Sequence, residues 1–104
     1  MARPIDVSET ARAVHPVAAL NALWAAVIIE ELVRLGVDRF VIAPGSRSTP
    51  LTLAATRHPG ARCVLHLDER GAAFWALGYG RGAGRAAAVI CTSGTAAANF
   101  LPAV

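Results

Sequence analysis

Three short polar segments each follow an apolar run of the chain, and they contain the residues best suited to chemistry. We call them loop 1 (residues 44–48, PGSRS), loop 2 (residues 68–70, DER) and loop 3 (residues 92–95, TSGT). Ligands of open parallel sheets bind at the carboxyl ends of the strands. If the three apolar runs are parallel strands, the loops meet along one edge of the sheet. Their convergence predicts a ligand site there, although each loop alone is a weak signal.

Loop 1 combines a tight Pro-Gly turn with a cation and two hydroxyl groups. Arg47 can hold a carboxylate or phosphate through two parallel hydrogen bonds. The positive end of a helix that begins near Ser48 would point to the same place, and Ser46 can hydrogen-bond a ligand or the local backbone. An ordinary strand-to-helix turn, with Ser48 as cap and Arg47 exposed, explains the same residues equally well.

Loop 2 places two carboxylates directly after an apolar strand. Asp68 suits the cap of the next helix, which puts Glu69 at the helix start, at the mouth of the sheet. A metal site, an acid/base site or simple compensation of the helix dipole would each use such a pair. His66, which we place inside the strand, is expected to be packed or hydrogen-bonded rather than catalytic.

Loop 3 contains Gly94, which allows a ligand close to the backbone just before a helix, so the loop could form an anion-binding nest. It has neither the spacing nor the lysine of a P-loop. The glycine-rich run at residues 80–84 is not a dinucleotide fingerprint either, because it does not follow a strand.

The elements that must position these loops alternate between helix and strand. The expected helices are residues 16–35, 48–56, 72–79 and 96–101, and the expected strands are residues 39–43, 62–67 and 86–91. This alternation, with continuously apolar strands, predicts an α/β fold with an open, mostly parallel sheet and helices on both faces. Residues 1–15 are expected to be a lead-in. Residues 16–104 are expected to be one incomplete domain, because the sequence stops within the fourth helical pattern.

The apolar residues of the first helix recur at spacings of three and four, which predicts a face turned to the core. They are Ala18, Leu20, Leu23, Trp24, Val27, Ile28, Leu32 and Leu35. Trp75 and Phe74 are likewise expected in helical core stripes. In total 55% of the 104 residues are hydrophobic and 16% are charged. That is apolar for so small a domain, so we expect part of its surface to be covered by more chain or by another subunit.

Charge and cysteine usage exclude several functional classes. The net charge of +3 comes from arginines that form no basic run, which argues against a nucleic-acid partner. Cys63 and Cys91 lie in apolar runs and are expected to be buried free thiols. No Cys/His spacing indicates a metal site. The N-terminus lacks a signal-peptide core and residues 17–29 are too short to span a bilayer, so we expect a soluble, cytoplasmic protein.

Taken together, the loops and their surroundings resemble the SEPHCHC synthase (MenD) family, in full the 2-succinyl-5-enolpyruvyl-6-hydroxy-3-cyclohexene-1-carboxylate synthases of menaquinone and phylloquinone biosynthesis. The matching segments are APGSRSTPL, HLDERGAAFWALGYGRGAGR and VICTSGTAAANFLPAV. The likeness runs from about Pro16 to the end of the chain. The PGSR segment discriminates best, because acetolactate synthases and other thiamine-diphosphate enzymes share the glutamate and the TSG segment.

The resemblance implies that residues 16–104 are an incomplete pyrimidine-binding domain, with the central and diphosphate-binding domains absent from this chain. The implied reaction is decarboxylation of 2-oxoglutarate and addition of the resulting succinyl carbanion to isochorismate. The implied cofactors are thiamine diphosphate and Mg²⁺ (or Mn²⁺), whose metal and diphosphate sites belong to the absent domain. Family members form homodimers or homotetramers with shared active sites, so this fragment alone is expected to be inactive.

The resemblance also assigns roles to single residues. Glu69 matches the glutamate that shares a proton with the pyrimidine ring and thereby activates the cofactor, and we expect it in apolar, water-poor surroundings. Ser46 and Arg47 match substrate-binding positions, where carboxylates need a cation. The matches on the cofactor side are Thr92, Ser93, Gly94 and Asn99, mostly through their backbone. The alternatives are another thiamine-diphosphate lyase, such as an acetolactate-synthase relative, and a non-catalytic α/β ligand-binding module.

Overall fold

The computed structural model describes residues 15–104, so nearly all of the expected lead-in lies outside the described residues. Seven helices and strands follow one another along this part of the chain. They are α1 (Pro16–Arg34), β1 (Arg39–Ile42), α2 (Thr49–Arg57), β2 (Arg62–Leu65), α3 (Glu69–Ala83), β3 (Ala88–Ile90) and α4 (Thr95–Ala98). Short 3₁₀ turns at Ser46–Ser48 and Leu101–Ala103 precede α2 and follow α4.

The three strands form one parallel sheet in the order β2-β1-β3, which confirms the predicted fold class. Val41 of the central strand pairs with Val64 on one side and with Val89 on the other. The crossover through α2 runs from β1 to β2, whereas the crossover through α3 runs back from β2 past β1 to β3, in the opposite direction along the sheet. Because such crossovers are right-handed, the two helices cover opposite faces of the sheet. The reversal of strand order lies between β1 and β3, which is where open α/β sheets bind ligands.

The main core lies between the sheet and the α1–α2 pair. Ile29, Phe40, Ile42, Ala55 and Ile90 form one buried cluster on this side. Side chains of a strand alternate between its two faces. Val41 accordingly faces the other side, where α3 contacts β1. On that side Ala72 and Ala73 are buried, and their small side chains let α3 lie close to the strand.

Helix α3 begins at Glu69, as the predicted Asp68 cap implies, and so extends beyond the expected residues 72–79 at both ends. Asp68 Oδ1 accepts a hydrogen bond from the Arg70 backbone N–H at 3.3 Å, which confirms Asp68 as the cap. The helix then continues to Ala83, so most of the glycine-rich run forms its last turn. Gly84 ends it with a φ of 68°, a left-handed conformation that glycine adopts at little cost.

Three other elements differ clearly in their bounds from the prediction. Strand β2 ends at Leu65, so placing His66 inside the strand was wrong. The chain turns there because the His66 ring bonds the backbone of loop 2. Strand β3 comprises only Ala88–Ile90. The predicted helix 96–101 is the four-residue α4, because the Asn99 side chain bonds the Thr95 carbonyl and a 3₁₀ turn follows.

Most of the residues predicted for the core face of α1 are exposed, although Leu32 packs against the core as predicted. The fully buried residues of α1 are Ala25 and Ile29. The predicted core residues Trp24 and Leu23 are 60% and 61% exposed, and Phe74 on α3 is also exposed. Apolar residues surround most of α1, so spacing alone could not identify the face that packs. We call the exposed residues Val17, Leu20, Leu23, Trp24, Val27 and Ile28 the α1 apolar surface.

The cysteines are both free, but Cys63 is exposed and Cys91 is half-buried, so predicting two buried thiols was wrong. Cys63 lies on β2, which has a strand neighbour on one side only. Helix α1 is the one helix within residues 15–104 whose length and composition would let it cross a membrane. Core helices pass the same test, and α1 packs against α2.

Candidate functional site

Loops 1 and 3 are in direct contact at the carboxyl edge of the sheet. Arg47 Nη1 donates a hydrogen bond to Ser93 Oγ at 2.7 Å, although the two residues are far apart in sequence. The contact follows from the topology, because β1 and β3 are parallel neighbours and both loops leave at the same edge. The predicted convergence of these loops is therefore present in the structure.

The backbone of loop 1 approaches loop 3 closely at Gly45. A Cβ atom built at Gly45 would overlap Thr92 Cβ and lie 3.0 Å from Thr92 Oγ1. The φ of Gly45 is −175°, which any residue adopts, so the lack of space rather than the backbone angle requires glycine here. Sequence reasoning assigned Gly45 to a tight turn and missed this contact, since nothing in the sequence indicates which residue would face it.

Two hydroxyl groups hold loop 1 in its 3₁₀ turn. Ser48 is buried, and its Oγ donates to the Gly45 carbonyl at 3.0 Å. Thr49 Oγ1 donates to the Ser46 carbonyl at 2.7 Å. The interpretation of Ser48 as a side-chain cap of α2 is wrong, because its hydroxyl closes the preceding turn instead. These bonds leave the side chains of Ser46 and Arg47 exposed at the edge of the sheet.

Glu69 is the first residue of α3, at the carboxyl edge of the sheet. The charge of Glu69 adds to burial in raising the pKa of the Cys91 thiol, and burial is the larger cause. Cys91 immediately precedes loop 3, so loops 2 and 3 both lie at this edge. Glu69 is only half-buried within residues 15–104. The chain therefore provides part of the expected water-poor environment and leaves the rest of the carboxylate open.

His66 fixes the path of the backbone from β2 into α3. Its Nδ1 lies 3.0 Å from the Asp68 carbonyl oxygen. The ring also covers Gly71, where an added Cβ would overlap the imidazole. His66 is thus a hydrogen-bonded, packed residue as predicted. Gly71 was missed by the sequence analysis because the bend that brings the ring over it is a tertiary feature.

The remaining predicted site residues lie on loop 3 and α4. Gly94 has a φ of 73°, and no atom would lie within 4 Å of a Cβ added there, so open space borders the loop at this point. Asn99 ends α4, and its Nδ2 donates to the Thr95 carbonyl at 3.0 Å. Among the described residues, the hydrogen bonds bring Arg47 and Ser93 together but do not join Asn99 to either.

The site offers a cation but no cluster of metal ligands. Within residues 15–104, Arg47 forms no ion pair with a carboxylate, unlike Arg34, Arg39 and Arg85. Among these residues its guanidinium can therefore bind an added anion without first leaving a carboxylate partner. No group of three or more His, Cys, Asp or Glu side chains in the described part of the chain is arranged to hold a metal ion.

Comparison with known proteins decides the family. Residues 24–104 match the family model described as thiamine pyrophosphate enzyme, N-terminal TPP binding domain. The chain belongs to this family. Thiamine pyrophosphate (TPP) is another name for thiamine diphosphate, so the match agrees with the resemblance noted from the loops.

Curated relatives of this TPP binding domain carry one common name, 2-succinyl-5-enolpyruvyl-6-hydroxy-3-cyclohexene-1-carboxylate synthase. The relative from Pelodictyon phaeoclathratiforme is 61% identical over 85 residues, which is 82% of this chain and 14% of the relative. The Synechocystis relative is 60% identical over 84 residues, 81% of this chain and 14% of the relative. The Rubrobacter xylanophilus relative is 61% identical over 84 residues, 81% of this chain and 15% of the relative. The chain thus spans about 15% of the length of the relatives it matches.

The residues of this TPP binding domain fit the ring of such a cofactor. A flat heterocycle with polar nitrogens needs a hydrogen-bonding carboxyl group and room beside a backbone. Glu69, which is half-buried, provides a carboxyl group at the carboxyl edge of the sheet. Gly94 leaves open space in loop 3 at the same edge.

Proposed function

We propose that this chain is the pyrimidine-binding part of a thiamine-diphosphate-dependent transferase, and that Glu69 is its catalytic residue. The observation that carries the proposal is the position of Glu69, which is the first residue of α3 and lies at the carboxyl edge of the parallel sheet. Bound thiamine diphosphate supplies the electron sink that decarboxylation and carbon–carbon bond formation require. Glu69 would share a proton between its carboxyl group and a ring nitrogen of the cofactor, and Thr92, Ser93, Gly94 and Asn99 would hold that ring.

The reaction we propose is SEPHCHC synthesis, in which 2-oxoglutarate is decarboxylated and the succinyl unit is added to isochorismate. This step belongs to menaquinone or phylloquinone biosynthesis in the cytoplasm. The shared name of relatives about 60% identical to this chain supports it. Both substrates carry carboxylates, and Arg47 at the edge of loop 1 is a cation without a carboxylate partner in the described residues. Ser46, which precedes Arg47 and is also exposed, is assigned to orienting the same substrate through its hydroxyl.

A second polypeptide or a further domain must complete the site. Glu69 is half open, and the α1 apolar surface is exposed. Residues 15–104 contain no cluster of metal ligands, so Mg²⁺ (or Mn²⁺) and the diphosphate would be bound elsewhere. A homodimer or homotetramer with active sites shared between subunits meets these needs, and the isolated fragment would be inactive.

A product assay tests the proposed reaction. The full-length gene product that carries these residues is incubated with thiamine diphosphate, Mg²⁺, 2-oxoglutarate and isochorismate, and in parallel with pyruvate alone. We expect SEPHCHC in the first reaction and no acetolactate in the second. Acetolactate without SEPHCHC would replace the proposal with an acetolactate-synthase relative. Release of CO₂ in neither reaction would favour a non-catalytic binding module.

A further inference from the structure

We propose that Ser93 is a positioning residue for Arg47, and that its hydroxyl orients the guanidinium to receive a substrate carboxylate. This inference rests on the proposed function, because it concerns the same substrate site. It gives the Ser93 side chain a task separate from the backbone contact with the cofactor. The basis is the 2.7 Å hydrogen bond from Arg47 Nη1 to Ser93 Oγ.

The partner of Arg47 is neutral, and that choice has a chemical consequence. A carboxylate partner would hold the guanidinium but would also neutralise the charge that attracts an anion. A hydroxyl oxygen accepts a hydrogen bond from one of the five N–H groups of the guanidinium, and this bond leaves the positive charge of the guanidinium in place. The other N–H groups remain in a rigid planar fork that matches a carboxylate. Ser93 therefore restrains Arg47 without competing for the substrate.

The backbone places the Ser93 hydroxyl independently of Arg47. The contact between Gly45 and Thr92 holds the two loops together directly beside this pair. The side chains of Ser48 and Thr49 close the turn that contains Arg47. Both ends of the Arg47–Ser93 bond are thus anchored, although both side chains are exposed. An exposed hydrogen bond persists most readily when its partners are held in place by other contacts.

Substitutions at Ser93 in the full-length gene product test the inference. Ser93→Ala should raise the KM of whichever carboxylate substrate Arg47→Ala affects, by about three- to tenfold, as expected for one solvent-exposed hydrogen bond of ordinary net strength. The kcat and the affinity for thiamine diphosphate should stay within about twofold of wild type. Ser93→Thr keeps the hydroxyl and should restore the KM. Thr56→Ala removes a hydrogen-bonded hydroxyl far from the three loops and serves as the matched control.

A double-mutant cycle separates a role through Arg47 from a direct role. If Ser93 acts through Arg47, then Ser93→Ala should leave the KM unchanged in an Arg47→Ala background. An additive loss in that background, or a weaker affinity for thiamine diphosphate, would overturn the inference in favour of direct contact with cofactor or substrate. Failure of Ser93→Thr to restore the KM would also contradict it.

Chemical modification tests the contact without any catalytic assay. In ligand-free protein, Ser93→Ala should make Arg47 react about threefold faster with phenylglyoxal, because the guanidinium loses its restraint. Mass spectrometry resolves the modified peptides, and the exposed Arg57 should react at an unchanged rate. An unchanged rate at Arg47 would refute the inference. Faster modification in a protein that fails the product assay would retain the Arg47–Ser93 contact and reject only the proposed function.

Discussion

Gly45 lies against Thr92 with no room for a side chain at position 45. A Cβ there would overlap the Thr92 Cβ, and the backbone angle of Gly45 is otherwise ordinary. The contact joins the end of β1 to the end of β3 at the reversal of strand order. It therefore sets the distance between the loop that carries Arg47 and the loop that carries Ser93.

Gly45→Ala is expected to destabilise the protein by about 1–3 kcal/mol, the usual cost of inserting a methyl group into a packed contact. The measurement is chemical denaturation of the full-length gene product followed by circular dichroism. Gly78→Ala is the matched control, because Gly78 lies inside α3 with open space around it. Alanine is favoured over glycine within a helix, so this variant should be slightly more stable than wild type. Equal stability of Gly45→Ala and wild type would show that the loops are not tightly joined.

Glu30 on α1 is expected to make stability depend on pH in the acidic range. The hydrogen bond from His58 Nε2, followed by that from Arg34, holds the pKa of Glu30 below its usual value of 4.5. The Gly60 N–H donates to His58 Nδ1, which leaves the proton of a neutral ring on Nε2, facing Glu30. A carboxyl whose pKa is lower in the folded state stabilises the fold above the unfolded-state pKa. This stabilisation is lost as the pH falls through the folded-state pKa.

Glu30→Gln should therefore be less stable than wild type at pH 6, and the difference should shrink as the pH falls below about 4.5. Thermal melts of both proteins between pH 6 and pH 3 measure this difference in stability. Glu31→Gln is the control, because Glu31 lies 3.7 Å from Arg34 and is largely exposed. A Glu30→Gln difference that stays constant across the range would mean that the Glu30–His58 bond does not form.

The Cys91 thiol is expected to respond to the charge of Glu69. Burial and the charge of Glu69 raise the pKa of Cys91, whereas burial alone raises the pKa of Cys63. Glu69→Gln removes one of the two causes, so Cys91 should react with iodoacetamide at lower pH than in wild type. Peptide-resolved mass spectrometry of the cofactor-free protein measures both thiols, and Cys63 is the internal control. An unchanged pH profile for Cys91 would place Glu69 away from the end of β3.

The α1 apolar surface should make the isolated fragment self-associate. Residues 15–104 expose Leu23 and Val27 on a surface with no polar cover. Light scattering of the purified fragment should show an average molecular mass that rises with protein concentration. The double variant Leu23→Gln/Val27→Gln should reduce that rise. Glu31→Gln, which changes a polar residue on the same helix, should have little effect. A monodisperse monomer at all concentrations would indicate that this surface needs no partner.

Much of the fold was predictable from the sequence because local patterns and topology agree. Apolar runs bounded by glycine and proline predicted three strands, and the Asp68 cap was visible in the residue order. Parallel strands then require their following loops to share an edge, which brought Arg47 and Ser93 together without any knowledge of side-chain contacts. The sequence resemblance added the role of Glu69, which position alone left open.

Other features depend on tertiary contacts that no local pattern encodes. The packed face of α1 could not be chosen because apolar residues occupy most of its circumference, and Trp24 proved exposed. The hydroxyl of Ser48 had two possible partners, and in the buried turn it donates to the Gly45 carbonyl instead of accepting a hydrogen bond from a backbone N–H at the start of α2. Gly45 contacts Thr92 of loop 3, and Gly71 contacts the His66 ring across the bend before α3. Neither contact is visible in the sequence, so Gly45 could not be distinguished from an ordinary turn residue, nor Gly71 from an ordinary helix residue.

Hydrogen–deuterium exchange at the thiazolium C2 of bound thiamine diphosphate tests the role of Glu69 most directly. The full-length gene product and its Glu69→Gln variant are loaded with cofactor, the bound amount is measured, and exchange is followed by quenching and NMR. Glu30→Gln is the control for loss of a carboxylate outside the site. Exchange should be fast in wild type and in the control, and slower by about 100-fold or more in Glu69→Gln with cofactor still bound. Wild-type exchange in cofactor-loaded Glu69→Gln would contradict the proposal that this carboxyl group activates the cofactor.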